Sequence, residues 1–345
     1  MRKLLNKLKL IKTLFIFIFF FFILIRQNKI NKEWIKYELN PVLGNIQTGC
    51  IFDPFVIKDN NLYKMFFSWR IKRAIALSTS KDGINWSSIK IVLDKGNITS
   101  WEEAVNRASV VMVNKKYYMW YTGQYNVQSK IGLAFSDDGY NFIKYKNNPV
   151  IIPEYNFEKL SVMNPHVIYD KEEKIFKMWY SAGEQYEPDV ICYAISKDGI
   201  NWIKYENNPI FCPNLNKSSF DFYKIGGCDV HKISNKKYIM FYIGYTDINT
   251  ARIFIAISKN GIDNWIRFNY PIIQPTKDEF DHSACYKPSA VFDKKRNRWM
   301  LWYNGRNRSL ELIGLAIHKN YEIYKFKYLF KLLNFIFYND LNKKE

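Results

Sequence analysis

From Trp34 to Lys319 the chain is a succession of short apolar runs separated by polar turns, with side chains alternating between apolar and polar along most runs. Alternation of that period, rich in β-branched and aromatic residues, is the signature of strands with one face in a core. The turns repeat as well: SKDGINW at Ser80–Trp86 recurs as SDDGYNF from Ser136, SKDGINW from Ser196 and SKNGIDNW from Ser258. The closing aromatics, Trp86, Phe142, Trp202 and Trp265, are spaced at roughly 60 residues, which marks a repeat architecture.

Each repeat reads as four strands. First strands include DPFVIKD (Asp53–Asp59), ASVVMVN (Ala108–Asn114), NPHVIYD (Asn164–Asp170), DVHKIS (Asp229–Ser234) and PSAVFD (Pro288–Asp293). Second strands carry Met65, Met119, Met178, Met240 and Leu301 in register, which assigns those residues to the core. Third strands end at Ser80, Ser136, Ser196, Ser258 and His318, and the Asp-Gly or Asn-Gly turn leads into a fourth strand. The pattern predicts an all-β, five-bladed β-propeller of four-stranded blades over residues 34–320. Trp34–Val42 nearly copies Trp202–Ile210 with no strands before it, so it is the preferred fourth strand of the last blade; Tyr324–Tyr328 competes for that place.

Two flanking segments differ. Residues 1–33 carry Arg2, Lys3, Lys7, Lys9 and Lys12 ahead of an unbroken apolar run from Leu14 to Ile25. That order is an export signature, and no small-residue cleavage site follows. The preferred reading is an uncleaved membrane anchor helix with the remainder exported; a cleaved signal and a buried N-terminal helix are the alternatives. Residues 321–345 mix Tyr328, Leu329, Phe330, Leu332 and Leu333 with Lys325, Lys327 and Lys331, a basic amphipathic helix that lies on a membrane or pads the propeller.

The net charge of +19 narrows the partners less than its size suggests, because Lys travels with Asn and Ile throughout the chain. No dense basic stripe or RNA-binding signature accompanies it, so nucleic acid is not expected as a partner. Five cysteines without a CxxC spacing argue against a zinc module and against a disulfide framework. Four histidines without clustered ligands argue against a transition-metal site.

In a propeller, ligands meet the starts of the first strands and the loops leaving the second strands. Aligning the repeats gives a ring of Asp53, Arg107, Asn164, Cys228 and Lys287, with Asp229 aligned to Pro54 and with His166 two residues beyond Asn164. Trp69, Arg70, Gln124, Glu184, Tyr245 and Arg306 leave the second strands. These positions are polar and differ between repeats while the scaffold agrees, which is how a site grafted on a fold looks.

Blade number, Asp53-Pro54 opening the first blade and the repeated S-K-D-G-x-x-W turn together make residues 34–319 resemble the five-bladed propeller glycosidases, glycoside hydrolase families 32, 43, 62, 68 and 130. The resemblance implies a carbohydrate-active enzyme that cleaves a glycosidic bond of a surface or extracellular oligo- or polysaccharide, with Asp53 as base or nucleophile. It also implies an Asp in blade two and a Glu in blade three, where this chain has Arg107 and Asn164 instead. A second carboxyl must then come from a loop, and Glu103 and Glu184 are the candidates. Glu102 is set aside because Trp101-Glu102, Phe157-Glu158, Phe220-Asp221 and Phe280-Asp281 recur as aromatic-acid pairs, a structural feature. Arg70, Arg107, Lys287, Arg306 and His166 form a cationic set suited to an anion. Family 130 phosphorylases combine one carboxylic acid with phosphate held by basic side chains, so the resemblance offers inorganic phosphate as a co-substrate; an acidic, sulfated or phosphorylated glycan fits the cationic set as well, and no other cofactor is called for. The alternative from another class is a non-catalytic glycan-binding or surface-polysaccharide assembly propeller that has lost its acids.

Overall fold

A computed structural model describes residues 34–318. Strand β1 is Trp34–Lys36, and β2 to β5 are Ile51–Asp59, Leu62–Trp69, Ala74–Ser80 and Lys90–Leu93. Next come β6 to β9: Ala104–Val113, Lys116–Tyr125, Gln128–Ser136 and Ile143–Lys144. The third unit, β10 to β13, is Ser161–Asp170, Ile175–Gly183, Val190–Ser196 and Ile203–Lys204. Then follow β14 to β17 (Lys224–Ser234, Lys237–Asp247, Thr250–Ser258 and Ile266–Arg267) and β18 to β20 (Ala284–Asp293, Arg298–Asn307 and Leu310–His318). No α-helix occurs among the described residues, and none of their helical turns is long and apolar enough to cross a membrane. The anchor and amphipathic helices expected at residues 1–33 and 321–345 lie outside the described residues.

Every unit is an antiparallel meander, and a parallel bridge between Ser161 and Ser129 joins the second unit to the third. The first strands touch in a closed circuit: β2 meets β6, β6 meets β10, β10 meets β14, β14 meets β18, and β18 returns to β2. The last unit takes its outer strand from the other end of the chain, with β1 pairing β20 in the register Trp34↔His318. Asn40 reinforces it by exchanging two hydrogen bonds with Leu315, as Asn148 does with Leu133 and Asn208 with Tyr193.

Hydrophobic burial sits between neighbouring units. Met65, Met119, Met178, Met240 and Leu301 are fully buried, each a contribution of about 1.5–3 kcal/mol. The Asp-Gly turns are structural, as their recurrence suggests. Ser80, Asp82 and Asn85 bond one another and the turn backbone, and Gly83 adopts φ 80°. The carbonyl freed by such a turn then accepts an indole N–H from the preceding unit: Trp302 to Gly83, Trp120 to Gly199, Trp179 to Gly261. The aromatic-acid pairs are structural too. Glu102, Glu158, Asp221 and Asp281 each accept a hydroxyl from a second-strand tyrosine (Tyr121, Tyr180, Tyr242, Tyr303). Each also pairs with a cation of the outer strand: Lys144, Lys204, Arg267 and, from β1, Lys36. All five cysteines are free thiols, and Cys192, Cys228 and Cys285 are buried.

Candidate active site

The pit is built by a β-bulge that interrupts all five first strands at one level, between Phe52 and Phe55, Asn106 and Ser109, Met163 and His166, Ile225 and Cys228, and Tyr286 and Ser289. Bulges re-aim a side chain that regular pleating would turn away. Asp53, Arg107, Asn164 and Lys287 occupy them with φ of 52°, 55°, 51° and 34°. Residues with side chains are held in that region only where the surroundings impose it, at a cost on the order of 1–3 kcal/mol each.

The fourth unit departs from the sequence alignment. Val230 pairs with Met240 as Val56 pairs with Met65, so Gly227, not Cys228, stands level with Asp53. The Gly226-Gly227 pair hides the register in the sequence, since neither residue has a side chain to align. A Cβ on Gly227 would lie 3.0 Å from Asn164 Cγ and 3.1 Å from Lys287 Cδ, so the ring is tight at that point. Asp229 moves with the register: it is level with Phe55 and His166 rather than with Pro54.

Within the ring, Arg107 Nε lies 3.2 Å from Asp53 Oδ2. The backbone N–H of Asp53 donates to Asn304 Oδ1 at 3.3 Å, and Asn304 donates to Glu311 at 3.1 Å. Arg70 closes that side by pairing with the other Glu311 oxygen at 2.8 Å. Across the pit, Tyr245 hydrogen-bonds Glu187, Tyr245 and Tyr286 stand 6.2 Å apart, and the Arg306 guanidinium lies 5.4 Å from the Tyr286 ring centre. Glu187 also feels the charges of Arg107, Arg306 and Glu311, and Glu311 feels Asp53. Burial is the first cause that raises the pKa of both Glu187 and Glu311. Burial likewise lowers that of Lys287, whose Nζ donates to Cys228 O at 3.2 Å.

Several buried polar atoms here have no hydrogen-bond partner within the described residues: Arg107 Nη1, Arg306 Nε, Asn106 Oδ1, Asn164 Oδ1, Gln124 Nε2 and Tyr286 OH. Unsatisfied groups are scarce in folded proteins, and their concentration around one depression is what a polar ligand would relieve.

Gln124 and Tyr245 also belong to this cluster, while the other expected site residues fall outside it. Glu103 pairs with Arg73 and accepts from the Thr99 backbone. Glu184 is an exposed partner of Lys224 and Lys159. Neither is joined to Asp53 by any described contact. His166 and Asp229 lie one layer below the ring, 3.3 Å apart, where His166 Nε2 donates to Val230 O and Asp229 accepts from Ala290 N and His231. Trp69 is held by a bond from its indole to Thr48 O, Gln124 by Asn106, and Tyr245 is only 2% exposed, so its hydroxyl rather than its ring face serves the pit. Sequence reasoning missed Glu187 and Glu311. Glu187 sits inside the loop of which only the first residue, Glu184, was aligned. Glu311 opens a third strand, where the register puts Ser129 and Ala251 in other units; an acid at that unsurveyed position was the available signal.

Comparison with known proteins identifies the family and the fold. Residues 151–334 match the family model described as β-1,4-mannooligosaccharide phosphorylase, and residues 76–218 match the N-terminal domain of glycosyl hydrolase family 32. A 1,2-β-oligomannan phosphorylase of Thermoanaerobacter sp. is 30% identical over 178 residues, 51% of this chain and 53% of that protein, so the chain spans about half the length of that relative. An uncharacterised protein of Mycobacterium tuberculosis is 26% identical over 230 residues, 63% of this chain and 72% of that one. Among solved structures, a glycoside hydrolase from the family of mannoside phosphorylases, acting on β-1,2 mannosidic linkages in Candida mannan, superposes with TM-score 0.65 at 18% identity over 82% of this chain and 93% of that one. A thermostable family-43 glycoside hydrolase does so with TM-score 0.63 at 20% identity over 80% and 91%. These likenesses show the fold, that of the glycosidase propellers.

Proposed function

The chain belongs to the family of β-1,4-mannooligosaccharide phosphorylases, glycoside hydrolase family 130, and from that premise we propose that it cleaves a β-mannosidic bond of an oligosaccharide by phosphorolysis. Membership makes it a glycosidase or glycoside phosphorylase; the choice of phosphate over water is this proposal. The observation that carries it is the pair of guanidinium groups, Arg107 and Arg306, with unpartnered N–H groups in a pit that also holds Asp53. Guanidinium groups bind phosphate through charge-assisted, fork-shaped hydrogen bonds. We read the five meanders as five blades, Asp53 as the carboxylate that holds Arg107 in place and is essential to turnover, and Asn164, Gln124 and Tyr286 as acceptors and donors for sugar hydroxyls.

The basic leader and apolar run at residues 1–33 support an exported, membrane-held protein and hence a surface or extracellular glycan as substrate. The test is direct. Purified protein is incubated with β-1,2- and β-1,4-mannooligosaccharides, with and without inorganic phosphate, and the sugar products are resolved. Phosphate-dependent release of mannose 1-phosphate is expected. Free mannose at the same rate without phosphate would make the protein a hydrolase, a reading favoured by the additional carboxyls Glu187 and Glu311. No product under either condition overturns both.

A further inference from the structure

The geometry points to Glu187 as the proton donor to the leaving oxygen, an assignment that rests on the glycoside-cleaving reading above and deepens it. Three carboxyl groups converge on the pit, and their partners separate them. Asp53 has Arg107 against one oxygen. Glu311 has both oxygens occupied, one by Arg70 and one by Asn304. Glu187 has a single described side-chain bond, to the neutral hydroxyl of Tyr245. Among the three it is the carboxyl with no described ion pair, so no bonded cation holds it in the charged form and it can carry a proton toward a ligand. Burial raises the pKa of Glu187 above its ordinary value, toward the protonated form that an acid catalyst requires.

Its loop is built to hold it there. Lys224 Nζ gathers Glu184 at 2.6 Å, Asp189 at 3.1 Å and the carbonyl of Glu187 itself at 2.9 Å. Gln185 is buried and donates to Gln128 O of the neighbouring unit at 3.1 Å. The residue expected to be catalytic, Glu184, thus belongs to the clamp that positions the one three places on.

In the step itself, a phosphate oxygen forms the new bond to the anomeric carbon as the bond from that carbon to the glycosidic oxygen breaks. The Glu187 O–H proton passes to the departing oxygen, leaving a Glu187 carboxylate that regains its proton from solvent. The experiment compares wild-type protein with Glu187→Gln on a β-mannooligosaccharide and on 2,4-dinitrophenyl β-mannoside, whose leaving group needs no proton. Glu187→Gln should lose about 10²- to 10⁴-fold in kcat/KM on the oligosaccharide and stay within about tenfold on the activated glycoside. The alkaline limb of the wild-type pH profile should vanish in the variant. Equal losses on the two substrates, or an unchanged rate on the oligosaccharide, overturn the assignment to Glu187. If Glu187→Gln fails to fold, Glu187→Asp must show the same split between substrates. A wild-type protein inactive on both substrates overturns the underlying reading, an outcome seen before any variant is made.

Discussion

Lys36 Nζ stands 2.5 Å from Asp281 Oδ2, a carboxylate with no exposed side-chain surface. The pairing closes the circuit of strands, since Lys36 comes from β1 and does for the fifth unit what Lys144, Lys204 and Arg267 do within their own. Lys36 also reaches Gln274 O and Thr276 Oγ1, both at 2.6 Å. Lys36→Met leaves Asp281 with the Tyr303 hydroxyl, the Thr276 backbone N–H and the weak Cys285 thiol donor. Removing one partner of a buried pair costs about 3–5 kcal/mol, and the partial exposure of Lys36 reduces that to roughly 2 kcal/mol. Calorimetric melting of the variant beside wild type measures it; a loss below about 0.5 kcal/mol would mean that β1 is not the latch.

Asp53→Asn keeps the shape of the ring and removes one charge. Arg107 retains Glu311 as a nearby counter-charge, so melting should change by only about 1 kcal/mol. Turnover should fall roughly 10³-fold while glycan binding by calorimetry persists. A variant that turns over normally would remove Asp53 from the site.

Arg107→Lys separates charge from geometry. The ammonium keeps the sign but loses the fork that can hold Asp53 and an anion at once. The KM for phosphate should rise about tenfold or more, with the KM for oligosaccharide much less affected. A reversed pattern would assign Arg107 to the sugar.

His166 gives the fold an acid sensitivity. It is buried, and desolvation holds its pKa down to about 4, against about 6.5 in the unfolded chain. As pH falls through that interval the unfolded chain takes up a proton that the folded one refuses, so stability declines. At pH 5 the loss relative to pH 8 is about 2 kcal/mol. Below that window Asp229, lowered to about 2 although burial opposes it, chiefly by the charges of His231 and His166, adds a further loss as pH drops through the ordinary carboxylate range. Denaturant titration of wild type and His166→Gln from pH 8 to 5 checks this; parallel slopes for the two proteins would show that His166 is not the group responsible.

Much of this fold was legible because its signals recur. The Asp-Gly turns, the second-strand Met residues and the aromatic-acid pairs repeat by physical necessity: each solves the same packing problem, and the structure uses them alike. The site follows the opposite rule. Asp53, Arg107, Asn164 and Lys287 could be located because the bulge level is shared, yet the fourth unit slipped by one where Gly226 and Gly227 leave no side chain to align. Glu187 and Glu311 were harder, since loop geometry and a clamp on Lys224, not strand register, bring Glu187 inward. Glu103 and Glu184 were reasonable by position, but ion pairs with Arg73 and Lys224 claim them.

The pairing of β1 with β20 also sets an order of events. Until the chain has been made through His318, the segment around Trp34 has nothing to bind, and until Trp34 docks, β20 shows its outer row of amides and carbonyls to the solvent. Such an open edge invites a second molecule to add its own strand. A version trimmed to begin after Val42 should accordingly emerge as head-to-tail assemblies rather than as single molecules, and a synthetic peptide copying Trp34–Val42 should dissolve them.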